Sequence, residues 1–117
     1  MITNDDMSAV FQALAHENRR EILDILKARP GASVGELARQ FDVSRIAVMN
    51  HLAVLEKAGL VISEKQGRTR HLYLNTVPIR QIQERWLDTY SETFAGKLTS
   101  IKAMAEQAAR KRDETND

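Results

Sequence analysis

The sequence predicts a mainly α-helical fold that carries one β-hairpin. Up to residue 58 the apolar residues recur every three or four positions, which is the spacing of one face of a helix. Between residues 60 and 74 the period shortens to two, which is the period of a strand. A linker of three residues, 41–43, separates two of the helices. Together these observations predict a winged helix-turn-helix: four helices, a two-stranded hairpin and a last helix.

The first two helices follow from apolar spacing and from a proline. A first helix over residues 4–15 is predicted by apolar residues at helical intervals: Met7, Val10, Phe11 and Leu14. A second helix is predicted over about Glu17–Ala28. It ends before Pro30, because proline has no amide donor and disfavours helical backbone at the residue that precedes it.

The helix-turn-helix comes next, and each of its helices has a start signal. Ser33 and Glu36 have the spacing of a capping box, which predicts a short third helix over about Val34–Gln40. Ser44 is a second good N-cap and predicts a fourth helix over about Arg45–Ala58. The residues of this helix that we expect to face the core are Val48, Leu52 and Leu55.

The change of period after the fourth helix predicts the hairpin. Its strands are expected over residues 60–65 and 69–74, with a turn at Gln66-Gly67-Arg68. Pro78 then opens the last helix, because proline is favoured in the first helical turn. The apolar residues of this helix, predicted over 78–110, recur about every 3.6 positions.

Length and composition favour one domain without catalytic or redox chemistry. The domain is predicted over residues 1–110 and a disordered tail over 111–117. The sequence contains no cysteine, which excludes disulfides and thiolate metal sites. It has no glycine-rich phosphate loop and no catalytic pair, so we expect neither an enzyme nor a cofactor. It also lacks a long apolar run and a signal-peptide pattern, so we expect a cytoplasmic protein with no membrane partner.

Basic charge is concentrated in the fourth helix and the hairpin. The whole chain has a net charge of +1, whereas residues 44–74 have five basic and two acidic residues. A basic helix-turn-helix favours double-stranded DNA as the partner, because the major groove admits one helix and the hairpin can reach phosphates. We predict a DNA-binding core over residues 16–75. The predicted contact residues are Ser44, Arg45, Ile46, Met49, Asn50 and His51 on the helix and Lys65, Arg68, Thr69 and Arg70 on the hairpin.

Two of these side chains suit base recognition. Arg45 can donate to both acceptors of guanine, and Asn50 can pair with adenine through two hydrogen bonds. The same residues are also compatible with an ordinary exposed helix face, and a charged hairpin can serve only to protect an edge strand from aggregation. The alternative function is a winged-helix protein-interaction module without specific DNA binding, which would use the last helix or the hairpin.

Four segments of the chain resemble the ArsR/SmtB family of bacterial repressors: residues 13–23, 33–38, 44–52 and 55–61. The basic hairpin with Tyr73-Leu74 completes the resemblance, which covers roughly residues 10–75, and the long last helix fits it too. The resemblance implies a dimer that occupies an inverted-repeat operator, with half-sites about 34–36 Å apart, and leaves it when a signal binds. Metal-sensing members carry a cysteine pair in the third helix or Asp and His pairs in the last helix. This chain has no cysteine, and no histidine follows His71, so we expect no metal site. An acidic row of the last helix is interpreted as a solvated face: Glu84, Asp88 and Glu92.

The last helix also argues for a homodimer. A helix of about 30 residues spans about 45 Å, so one small domain cannot cover its apolar side and a second copy is expected to do so. The predicted interface consists of Met7, Phe11, Leu14, Trp86, Tyr90, Phe94, Leu98 and Ile101. As an alternative, the aromatic residues of the last helix line a pocket for a small apolar effector of unknown identity.

Three histidines are scattered along the sequence rather than paired. We expect His16 to cap or pack at the start of the second helix. His51 is expected to pack or to bond a phosphate, and His71 to face solvent on the hairpin.

Overall fold

The computed structural model describes residues 2–87 and 89–115, and side chains within them except those of 89–95 and 111–115. The elements in chain order are α1 (Asn4–Leu14), α2 (Glu17–Ala28), β1 (Ala32–Ser33), α3 (Val34–Arg39), α4 (Arg45–Lys57), β2 (Val61–Gln66), β3 (Thr69–Leu74), α5 (Val77–Trp86) and α6 (Thr89–Thr115). The predicted winged helix-turn-helix is therefore confirmed.

Each helix of the helix-turn-helix begins at one of the two serines that were predicted as N-caps. The Ser33 hydroxyl accepts a hydrogen bond from the Glu36 amide at 3.2 Å, and the Ser44 hydroxyl accepts one from the Ala47 amide at 3.1 Å. Each bond satisfies an amide that the first turn of a helix leaves without a partner. Because both starts are defined by local bonds, the position of α4 relative to the turn follows directly from the sequence.

The sheet is antiparallel and has one strand more than the sequence predicts. β2 and β3 form the hairpin, here called the wing, with Val61 opposite Leu74 at its base and Gln66 opposite Thr69 at its tip. The additional strand, β1, pairs with the other edge of β3 and places Ala32 opposite Leu72. A strand of two residues has no measurable periodicity, so pattern analysis could not identify it.

The first compact unit of the chain extends to Ile82, and its core joins α1 to α4 with the base of the sheet. The three residues of α4 that were predicted to face inward, Val48, Leu52 and Leu55, are all buried, as the helical period requires. They pack in one cluster with Leu37 of α3 and Leu72 of β3. This packing holds α4 between its preceding helix and the wing, and leaves its opposite side exposed.

The last helix differs from the prediction at two points. The prediction of one continuous helix over 78–110 is wrong, because α5 ends at Trp86 and α6 starts at Thr89. Apolar residues keep a helical period across the interruption, so periodicity did not detect it, although Asp followed by Thr at 88 and 89 is a helix-start signal. The predicted disordered tail is also wrong for residues 111–115, which continue α6. Residues 116 and 117 lie outside the described part.

The second compact unit of the chain begins at Gln83 and contains α6. The end of α6 is rich in Ala, Glu, Gln, Lys and Arg, which are strong helix formers, and this explains why the helix extends past residue 110.

Among the described residues, no helix combines the length and the apolar character that crossing a membrane requires.

Candidate nucleic-acid interface

The exposed side of α4 carries four of the ten predicted contact residues. Arg45, Ile46, Met49 and Asn50 are all exposed, whereas Val48 and Leu52 on the same helix are buried. We call these four residues the contact face. Ile46 exposes 72 % of its surface and Met49 exposes 47 %, so large apolar groups as well as polar ones are presented to solvent.

A cleft joins the contact face to the wing. It has a volume of about 290 Å³ and is lined by Ser33, Val34, Gly35, Arg45, Met49, Arg68, Thr69 and Arg70. The structure thus brings together two residues of the contact face and three predicted residues of the wing. Three lining residues from the start of α3 were not predicted, since only the packing of α3 against the sheet brings them to this cleft. Lys65 lies directly across the wing from Arg70 and is exposed.

Arg70 has intramolecular partners that the sequence analysis did not identify. Its guanidinium forms an ion pair with the Glu56 carboxylate of α4, and also donates to the Ser63 hydroxyl of β2 at 3.1 Å. Arg70 was predicted only as a DNA contact, yet it also ties the wing to α4. Glu56 is fourteen positions earlier in the chain, so no local pattern pointed to it.

His51 of α4, which was predicted as a DNA contact, is half-buried and its ring packs against that of His16. The two ring centroids are 4.6 Å apart, and Nδ1 of His16 accepts the Asn18 amide at 3.2 Å as the N-cap of α2. Burial lowers the pKa of His51 below its usual value of 6.5, and the charges of His16 and Arg19 lower it further. The neutral imidazole of His51 is therefore favoured near neutral pH. His16 both caps and packs, as expected.

The prediction that His71 faces solvent is wrong. Its Nδ1 is 2.8 Å from the carbonyl oxygen of Gly31 and the side chain is partly buried. A carbonyl oxygen only accepts, so this ring nitrogen carries a proton and donates. The cause is the unpredicted strand β1, which pairs with β3 and places Ser33 opposite His71.

The residues predicted for a dimer interface divide into three groups. Met7 is buried within its own chain, so the prediction that it lies in a dimer interface is wrong. Leu14 packs partly against the core. Four others expose half or more of their surface: Phe11, Trp86, Leu98 and Ile101. The side chains of Tyr90 and Phe94 lie outside the described residues.

The described side chains contain no metal-binding cluster. In that part of the chain, no three His, Asp or Glu residues lie close enough together to hold a metal ion. Asp88 and Glu92, which belong to the acidic row of the predicted last helix, lie outside it.

The chain is similar to known proteins in both sequence and structure. A family model described as a helix-turn-helix domain matches residues 14–64. The chain is 37 % identical over 91 residues to the uncharacterized HTH-type transcriptional regulator YuzN of Bacillus subtilis, covering 73 % of this chain and 99 % of that protein. It is 31 % identical over 74 residues to the transcriptional repressor SdpR of the same species, covering 63 % of this chain and 81 % of SdpR.

The solved structures agree with the sequence relatives. A crystal structure of an ArsR family transcriptional regulator superposes with a TM-score of 0.67 and 34 % identity. The match covers 80 % of this chain and 95 % of that one. The two chains therefore share a fold.

Proposed function

Since this chain belongs to the ArsR family of helix-turn-helix transcriptional regulators, we propose that it binds an inverted-repeat operator as a homodimer and represses transcription there. Its role as a DNA-binding transcriptional regulator is that of the family. The operator symmetry, the dimer and the individual contacts are the proposal. Repression is proposed because the relative SdpR is a transcriptional repressor.

The observation that carries the proposal is the cleft shared by α4 and the wing. Arg45 and Met49 of α4 line it together with Arg68 of the wing, so a helix and a cationic hairpin face the same space. The major groove of B-DNA is about 12 Å wide and admits one helix, while phosphates flank it on both sides. The cleft therefore suits a complex in which α4 lies in the major groove and the wing contacts the phosphate backbone.

Each contact residue then has a distinct task. Arg45, in the first turn of α4, pairs with guanine, and Asn50 with adenine, because each side chain matches the two hydrogen-bonding groups of that base in the major groove. Lys65 and Arg68 bind phosphates, which gives affinity without sequence preference. Ser44 contributes mainly by fixing the start of α4, since its hydroxyl already accepts the Ala47 amide.

A homodimer is supported by exposed apolar surface outside the contact face. Phe11 in the first unit, and Trp86, Leu98 and Ile101 in the second, each expose half or more of their surface. Large apolar side chains at helical spacing are favourable when a partner covers them. In a symmetric dimer, two copies of α4 would enter successive turns of the major groove, about 34–36 Å apart.

The test is selection from random-sequence duplexes followed by fluorescence anisotropy with the enriched duplex. We expect a palindromic site, binding that weakens steeply with salt, and a marked loss of affinity for Arg45→Ala. Arg80→Ala is the matched control, since Arg80 is an exposed arginine of α5 outside the cleft. Equal loss in both variants, or enrichment of no duplex at low salt, would refute the proposal. In the latter case the protein-interaction alternative, which the relatives do not favour, would need testing.

A further inference from the structure

The contact face of α4 is apolar at its centre. Met49, Ala53 and Ile46 fall within about 60° of one another around the helix axis at 3.6 residues per turn. Ile46 and Met49 are exposed to 72 % and 47 %. The polar members of the face, Arg45 and Asn50, flank this stripe on its two sides. The part of α4 that would enter deepest into a groove therefore presents carbon rather than hydrogen-bonding atoms.

The surroundings of this stripe indicate what covers it. Met49 lines the same cleft as Arg45, Arg68 and Arg70. An apolar strip bordered by guanidinium groups complements a surface that is anionic overall but carries isolated apolar groups. Duplex DNA has this character, because phosphates border the major groove and the only methyl group on its floor belongs to thymine.

We propose that Ile46 and Met49 recognise the 5-methyl groups of thymines in the operator half-site. This inference rests on the proposed function and specifies the bases that it reads. Ile46 and Met49 are three residues apart, which is about 4.5 Å along the helix axis, against about 3.4 Å between successive base pairs. The two side chains thus reach methyl groups on the same or neighbouring base pairs, and the half-site contains thymine at the positions between those read by Arg45 and Asn50.

The experiment uses the full-length protein and the duplex enriched by selection. A second copy of this duplex has deoxyuridine in place of every thymidine, which removes the methyl groups and keeps the base-pairing edges. Wild-type protein is expected to bind the uracil duplex at least about four-fold more weakly, since burial of one methyl group is worth about that factor. The double variant Ile46→Ala, Met49→Ala should bind both duplexes with nearly equal affinity.

Two controls separate direct contact from other effects. Ile62→Ala removes another exposed isoleucine, on β2 rather than α4, and should keep the wild-type ratio of affinities. Replacing thymine also alters the shape of the duplex, but a shape effect would persist in the double variant. Since both substituted residues of α4 are exposed, thermal unfolding should show that the variants fold normally.

The outcomes distinguish this inference from the function on which it rests. Equal binding of the thymine and uracil duplexes by wild-type protein would overturn methyl recognition and leave DNA binding intact. A ratio that is unchanged in the double variant would overturn it as well. If no duplex is enriched, the proposed function fails and this inference fails with it.

Discussion

Arg70 of the wing and Glu56 of α4 form an ion pair, and the same guanidinium donates to Ser63. Arg70, which lines the cleft, is thus tied to α4, the helix proposed to enter the major groove. The pair couples the position of the wing to that of α4, and it places an acidic group beside a cleft whose charged lining residues are Arg45, Arg68 and Arg70.

Glu56→Gln keeps the size of the side chain but removes its charge. We expect the free energy of unfolding to fall by no more than about 1 kcal/mol, because both partners are partly exposed to solvent. DNA affinity at low salt should rise, since Arg70 gains freedom to reach a phosphate and a repulsive charge is lost. Urea unfolding and anisotropy measure the two effects. Weaker DNA binding would instead mean that the ion pair is needed to hold the wing in place.

Arg68→Ala should weaken binding to all duplexes alike. Arg68 is an exposed residue at the wing tip, and we expect it to contact phosphate rather than a base. Loss of one phosphate contact lowers the slope of log affinity against log salt by about one. The slope is measured for wild type and variant with both the enriched duplex and a scrambled one. A loss confined to the enriched duplex would show that Arg68 reads bases.

Leu52→Ala should destabilise the fold by about 2–5 kcal/mol, because it leaves a cavity under α4. Leu52 is 1 % exposed and lies in the core cluster. Met49→Ala, on the exposed side of the same helix, is the control and should change the free energy of unfolding by less than about 0.5 kcal/mol. Urea denaturation of both variants checks this. Similar losses at the two positions would contradict the assignment of the buried and exposed sides of α4.

Stability should decline as the pH falls below about 6.5, in part because of His51. Its pKa is lowered in the folded protein, first by burial and then by the charges of His16 and Arg19. The unfolded chain therefore binds a proton at a higher pH than the folded one, and acid favours unfolding. Chemical denaturation near pH 7 and pH 5.5 should show a smaller difference for His51→Gln than for wild type. Equal differences would exclude His51 as a source of the pH dependence.

Leu98→Glu and Ile101→Glu should each shift a homodimer towards monomer. Both residues are exposed on α6, and a buried charge in place of an apolar contact is strongly unfavourable. Lys102→Glu is the control, since it introduces the same side chain at an exposed residue that was already charged. Sedimentation velocity measures the distribution of species. A wild-type protein that is monomeric at all concentrations would contradict the proposed dimer.

The starts of the helices and the inward side of α4 could be predicted because their causes are local. Ser33 and Ser44 bond amides three residues away, and Leu52 takes its place from the helical period. Two local signals were missed or misjudged. Asp and Thr at 88 and 89 are a helix-start signal that the apolar period running across them conceals, and the strong helix formers after residue 110 favour helix where a tail was predicted.

The sequence alone determined the order of the first four helices, the hairpin and the side of α4 that faces solvent, since hydrogen bonds within a turn and periodic burial depend on neighbours along the chain. Tertiary structure alone decided the pairing of β1 with β3, the bond from His71 to Gly31, and the ion pair of Arg70 with Glu56. Those contacts join residues that are far apart in sequence, and they form only because packing of α2, α3 and α4 brings the segments together. The cleft between α4 and the wing is a product of that packing.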